Sequence, residues 1–108
     1  MAIPPKARRP VHDEGSLLAF EYYRDTLIAH KIKPVNHTLK VDGDPTTLEH
    51  LLWMCIECIP QIRDDGQGML VDKYSRWLGY IQGCLICQKF TTVKDERNRT
   101  RPWFTKPK

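Results

Sequence analysis

The sequence has no apolar run that could cross a membrane and none that resembles a signal peptide. Its longest apolar stretch, residues 51–59, is interrupted by Glu57 and is far shorter than the roughly 20 residues that a spanning helix needs. Residues 1–10 are basic and rich in proline, whereas a signal peptide carries an apolar segment. We therefore expect a protein of the cytoplasm, whose four cysteines stay reduced.

The sequence also has little that could carry catalysis. No Gly-rich phosphate loop follows a strand, and neither H-E-x-x-H nor G-x-S-x-G occurs. The histidines are scattered along the chain, and Glu49 and His50 would point to different sides of one helix. Asp64 and Asp65 lie in a polar link and are typical of a solvated turn rather than of a metal site. We therefore predict a protein that is not an enzyme and has no cofactor.

What is present is apolar periodicity of the helical kind. It predicts helices over residues 17–31, 46–59 and 70–89, and a short fourth helix over residues 93–98. The second and third helices are joined by a short link with two glycines, which predicts an antiparallel hairpin over about residues 46–89. The predicted fold class is all-α, with a basic proline-rich arm over residues 1–12, a single helical domain over 13–104 and a tail over 105–108.

Two segments outside the long helices leave alternatives open. Residues 35–41 alternate apolar and polar side chains, so they form either an ordered loop or half of an intermolecular strand pair, with His37 solvated. Arg101 precedes Pro102, which predicts that the fourth helix ends before this pair. The two aromatic residues that follow, starting with Trp103, either fold back onto the core or are presented to a partner.

The third predicted helix combines an apolar face with a ridge of small side chains. The apolar face consists of Tyr74, Leu78, Ile81 and Leu85, and the ridge consists of Ser75, Gly79, Gly83 and Cys87. A helical glycine costs about 1 kcal/mol relative to alanine, so two of them one turn apart indicate close approach of another backbone. We predict that this ridge, with its neighbours Trp77 and Tyr80, packs closely within the hairpin or across a two-fold dimer axis.

The four cysteines form two C-x-x-C pairs. Cys55 and Cys58 are separated by 25 residues from Cys84 and Cys87, a spacing that is compatible with a four-thiolate zinc site. Both pairs lie in apolar helical runs, and in a hairpin they would be offset by roughly 10 Å along the axis. We therefore expect core thiols and no metal, with zinc binding and a redox pair as the alternatives.

Positive charge is concentrated at the two ends of the chain. The net charge is +4, and residues 1–12 carry three positive charges whereas residues 89–108 carry seven positive and two negative ones. Such tails suit nucleic acid or an acidic protein surface, or they pair with the chain's own acidic middle. The candidate contacts are Arg8, Arg9, Arg97, Arg99, Arg101 and Trp103. No recognition-helix motif accompanies them, so nucleic-acid binding is the second hypothesis.

Residues 48–55, 73–84 and 91–102 resemble small accessory proteins of tailed bacteriophages and prophages, with a Trp-Leu-Gly-Tyr-Ile-Gln-Gly helix as the shared feature. The resemblance covers residues 46–102 and implies a phage gene product that acts in the host cytoplasm. By analogy with small phage proteins as a class, it implies binding to a host bacterial protein that is redirected or blocked, including in host defence. A non-enzymatic binder of a host protein, with a homodimer as a further option, is the leading hypothesis.

Overall fold

The computed structural model describes residues 11–63 and 71–104, with side chains described from Glu14 and from Asp72 onward. Within these residues all regular secondary structure is helical, and there is no strand. The elements are α1 (Val11–Ala29), a short 3-10 helix (His37–Leu39), α2 (Leu48–Arg63), α3 (Val71–Cys87) and α4 (Val93–Phe104). The predicted all-α fold is confirmed. The link with Asp64 and Asp65 lies outside the described residues.

Helix α1 lies at the centre of the fold, because it packs against α2, α3 and α4. It begins at Val11 rather than at residue 17, so the predicted extended arm is wrong for its last two residues. Gly15 and Ser16, predicted to precede the helix, are buried inside it. A Cβ atom on Gly15 would lie 2.5 Å from the carbonyl oxygen of Trp103. The contact with α4 therefore accounts for the additional helical turns.

The core is formed by one face of each of the first three helices. Its fully buried large side chains include Phe20 and Leu27 of α1, Leu51, Leu52 and Cys55 of α2, and Ile81 and Leu85 of α3. The predicted apolar face of α3 is confirmed, since all four of its members are buried. Pro60 does not end α2, and Ile62 continues its buried face for a further turn.

Helix α4 is longer than its sequence predicts. It ends at Phe104 rather than at residue 98, and it contains Pro102. Proline has no N–H and removes one bond of the last turn, which here is offset by tertiary packing. Trp103 lies 5.8 Å from Tyr22 between ring centroids, and the Phe104 ring lies over Gly15. The prediction that these aromatic residues fold back onto the core is confirmed.

Candidate binding surface on α3

The glycines of α3 do not pack against another part of the described chain. Gly79 and Gly83 are exposed, and a Cβ atom placed on either would have no neighbour within 4 Å. The prediction of close packing within the hairpin is therefore wrong. The physical reason is that the apolar face of α3 fills the interface with the rest of the fold, which turns the glycine ridge outward. Packing of this ridge across a two-fold axis stays a prediction.

An apolar groove of about 380 Å³ runs along these glycines. It is lined by Thr46, Gly79, Tyr80, Gly83, Cys84, Cys87 and Gln88. The Tyr80 hydroxyl donates a hydrogen bond to the Pro45 carbonyl at 2.8 Å, and the Gln88 amide donates to the Thr46 carbonyl. These two bonds hold the loop that precedes α2 against α3, so this loop forms one wall of the groove.

A second apolar groove of about 510 Å³ shares Tyr80 with the first. Its walls include Trp53 of α2 and Trp77 of α3, whose rings are half-buried and 6.3 Å apart between centroids. The Lys73 ammonium lies 5.7 Å from the Trp77 ring centroid. We call the exposed surface that joins the two grooves the α3 outer face, and define it by Arg76, Trp77, Gly79, Tyr80, Gly83 and Cys87.

The α3 outer face extends over twelve residues of one helix, from Arg76 to Cys87. At ~1.5 Å rise per residue this is roughly 17 Å, or about three helical turns. The sequence located Trp77, Gly79, Tyr80 and Gly83 correctly as neighbours on one helix. It did not reveal the contribution of Trp53, because the predicted hairpin places α2 beside α3 but does not determine which side chains of α2 line the groove.

Histidine side chains fix the loop that borders this surface. His37 Nε2 donates to Glu49 at 3.1 Å, and His37 Nδ1 accepts the Asp44 amide at 3.3 Å. The His37 amide donates to Nδ1 of His50 at 3.2 Å. The prediction that His37 is solvated is wrong, since its side chain is only 13% exposed. Residues 35–41 thus form an ordered loop, and both ring nitrogens of His37 are engaged in structure.

His50 is the buried member of this group. It is 4% exposed, and its ring packs against Trp53 with 5.3 Å between centroids. Burial, together with the neighbouring His37, lowers the pKa of His50 below its ordinary value. The ring therefore stays neutral and accepts the His37 amide, as the loop requires. This arrangement fastens the loop to α2.

The cysteines do not converge on one point. Cys55 and Cys58 are buried in the core, as predicted, and Cys84 is half-buried. The prediction of a core thiol is wrong for Cys87, which is exposed because the apolar face of α3 turns it toward the solvent. Among the described residues no three histidine, cysteine or acidic side chains are placed to hold one metal ion. Burial raises the pKa of Cys58 to about 12 and raises that of Cys55 as well, so both remain protonated thiols at neutral pH.

The basic residues are only partly available. Arg97 and Arg101 are exposed on α4. Arg99 is half-buried and forms an ion pair with Glu96. Trp103 packs against Tyr22 and so does not stand free beside the arginines. Arg8 and Arg9 lie outside the described residues.

Comparison of this chain with protein-family models, with curated proteins and with solved structures finds no match. In residues 11–63 and 71–104, none of the helices has the length and apolar character needed to cross a membrane.

Proposed function

We propose that this chain is a non-enzymatic, phage-encoded protein that binds a bacterial host protein in the host cytoplasm and modulates or inhibits it. The α3 outer face is the docking surface. The observation that supports this proposal is the exposure of Gly79 and Gly83 beside Tyr80 and Trp77. The resemblance of residues 46–102 to phage accessory proteins supports the proposed phage origin.

Two exposed glycines lower the stability of the free chain and gain no contact in return. Each costs about 1 kcal/mol relative to alanine in a helix. A partner that lays its backbone on this ridge recovers that cost through van der Waals contact and Cα–H···O bonds. Tyr80, Trp53 and Trp77 supply the aromatic area that is enriched at the centre of protein interfaces.

The occupant that fits this surface is an amphipathic helix of the host protein. The two grooves together adjoin about three turns of α3, which suits helix-in-groove recognition. Exposed Lys73 and Arg76 lie at the N-terminal end of this surface. We therefore expect acidic residues to flank the apolar stripe of the partner helix.

The test is capture from a bacterial lysate with the tagged chain and with two leucine variants. Gly83→Leu fills the groove of the α3 outer face, whereas Glu57→Leu places the same side chain on an exposed position of α2. Leucine favours the helix at both positions, so neither variant is expected to unfold. The same host protein should be captured by the wild type and by Glu57→Leu and should be absent with Gly83→Leu.

Equal capture by both leucine variants would exclude the α3 outer face. If the chain retains only another copy of itself, the occupant of the face is a homodimer partner. Binding that disappears on nuclease treatment would replace the proposal by nucleic-acid binding.

Nucleic-acid binding is the second candidate, and the exposed side chains of Lys94, Arg97 and Arg101 on α4 favour it. Contacts with phosphates release counterions, so such binding should weaken steeply between 50 and 200 mM salt, by roughly tenfold or more for each two or three contacts. Docking on the apolar α3 outer face should change little over the same range.

A further inference from the structure

A separate cleft lies where α1, the α3–α4 turn and the first turns of α4 meet. Its volume is about 490 Å³, which is within the roughly 300–1,000 Å³ of small-molecule sites. Leu27 and Leu85 provide buried apolar lining, and the rings of Tyr22 and Phe90 also line the cleft. None of its lining residues belongs to the α3 outer face.

Glu96 is a buried carboxylate beside this cleft, with 5% of the residue exposed. It accepts hydrogen bonds from the Tyr23 hydroxyl, from the Thr91 hydroxyl at 2.9 Å and from Arg99. Gln82 in turn donates to the Tyr23 hydroxyl at 2.9 Å. Three donors from three parts of the fold therefore satisfy the carboxylate, which leaves it little capacity to bind a cationic ligand.

What the carboxylate does is orient Arg99. The guanidinium carbon of Arg99 lies 4.6 Å from the Tyr22 ring centroid, so the side chain is held by an ion pair on one side and by a ring on the other. A guanidinium has five N–H donors in a fixed plane. Glu96 and Tyr22 thus hold a planar donor group at the wall of the cleft, preorganised to receive an acceptor.

The rest of the rim is polar. His30 Nδ1 donates to the Thr26 carbonyl at 2.8 Å, so in this tautomer Nε2 is an acceptor and offers no hydrogen bond to an anion. The His30 ring meets Phe90 edge-on, with 5.0 Å between centroids. Lys89 is exposed and adds an ammonium group at the same edge. The charge of Arg99 is balanced by Glu96, whereas the charge of Lys89 is not balanced by another lining residue. The rim of this apolar and aromatic cavity therefore carries a net positive charge.

From this geometry we infer that the cleft binds a small organic anion with a planar apolar body. The anionic group, a carboxylate, sulfonate or phosphate ester, accepts hydrogen bonds from Arg99 and Lys89. The planar body lies between Tyr22 and Phe90 over the buried leucines, where ring contacts and burial stabilise it. The site is independent of partner docking on α3.

The test uses two fluorescent probes of similar shape. 8-Anilinonaphthalene-1-sulfonate carries the anionic group, and N-phenyl-1-naphthylamine lacks it. The folded wild type should bind one sulfonate probe. The variant Lys89→Gln, which removes the exposed ammonium group of the rim, should bind it about tenfold more weakly. Lys94→Gln removes an exposed charge of α4 outside the cleft and should leave the affinity unchanged.

The neutral probe should bind the wild type and Lys89→Gln equally, because it has no anionic group to pair with the ammonium. Amide chemical shifts on addition of the sulfonate should change around Tyr22, Phe90 and Arg99. Displacement by benzoate or by adenosine monophosphate would then assign a carboxylate or a phosphate as the anionic group.

Three results would overturn the inference. Equal affinity of the sulfonate for the wild type and for Lys89→Gln would show that the ammonium of the rim does not bind it. Chemical shifts confined to Trp53 and Trp77 would place the probe in the α3 grooves. Failure of the folded wild type to bind the sulfonate probe would exclude the proposed ligand class.

Discussion

Gly15 of α1 and the glycines of α3 are all helical, but their surroundings differ completely. A Cβ atom on Gly15 would lie 2.5 Å from a backbone oxygen and 2.7 Å from a carbon of the Phe104 ring. A Cβ atom on Gly79 or Gly83 would meet nothing within 4 Å. The first glycine thus permits a helix contact that is completed inside the chain. The other two leave a surface on which such a contact remains to be made.

The two regions differ in their polar groups as well. At the contact of α1 with α4, the carboxylate of Glu96 is satisfied by Tyr23, Thr91 and Arg99. At the α3 outer face, the grooves are apolar and end in exposed charges such as Lys73. The comparison separates structural residues, whose replacement should destabilise the chain, from interface residues, whose replacement should not.

The largest effect is expected at the α1–α4 contact. Tyr23→Phe removes the hydroxyl that donates to Glu96 and accepts from Gln82. Because a bond to a buried charge is lost, the free energy of unfolding should fall by about 1.5–3 kcal/mol, measured by chemical denaturation. Tyr22→Phe is the matched control and should cost much less. Equal losses in both variants would contradict a structural role for the Glu96 network.

Gly15→Ala should destabilise the chain by about 1–2 kcal/mol. The added methyl group must displace the Trp103 carbonyl or the Phe104 ring, and overpacking of this kind costs about 1–3 kcal/mol, more than the helix propensity of alanine returns. Thermal unfolding with far-UV circular dichroism would measure it. A variant as stable as the wild type would mean that α4 does not lie on Gly15.

Gly79→Ala and Gly83→Ala should stabilise the chain, in contrast to Gly15→Ala. Each should raise the free energy of unfolding by about 0.5–1 kcal/mol, because alanine favours the helix and its methyl group enters open space. Denaturation of the single variants and of the double variant would test this. A loss of stability at either position would show that the ridge is already occupied within the chain.

The smallest effect is expected at the loop beside the α3 outer face. The pKa of His50 is lower in the folded chain than the ordinary value of 6.5, because of burial and His37. As the pH falls below about 6.5, His50 becomes protonated in the unfolded chain before it does in the folded chain. Protonation therefore favours the unfolded chain, and the free energy of unfolding decreases. His50→Asn should reduce the fall in melting temperature between pH 7.5 and pH 5.5. An identical fall in the variant would contradict this assignment.

The periodicity of apolar residues predicts which face of a helix is buried. The ends of the helices and the neighbours of their exposed faces depend on tertiary contacts. The buried face of α3 follows from the spacing of Tyr74 and Leu78, which local geometry determines. The extension of α4 through Pro102 does not, since it depends on contacts with α1 that are remote in sequence. The spacing of Gly79 and Gly83 likewise indicates a close approach but cannot say which chain supplies the neighbour.

The cysteines illustrate the same limit at the candidate site. The spacing of Cys55 and Cys58 in an apolar run correctly predicted buried thiols. Whether Cys87 faces the core or the solvent depends on how α3 is rotated in the fold. The structure turns this thiol to the surface, where it lines the groove beside Gly83.

That thiol allows the most direct test of docking on the α3 outer face. The rate of maleimide labelling at Cys87 would be measured by mass spectrometry, with the wild-type chain alone and saturated with the host protein it captures. Cys55 and Cys58 serve as internal standards, because burial raises their pKa and shields them. We predict rapid labelling of Cys87 in the free chain and strong protection in the complex. An unchanged rate at saturation would contradict the account.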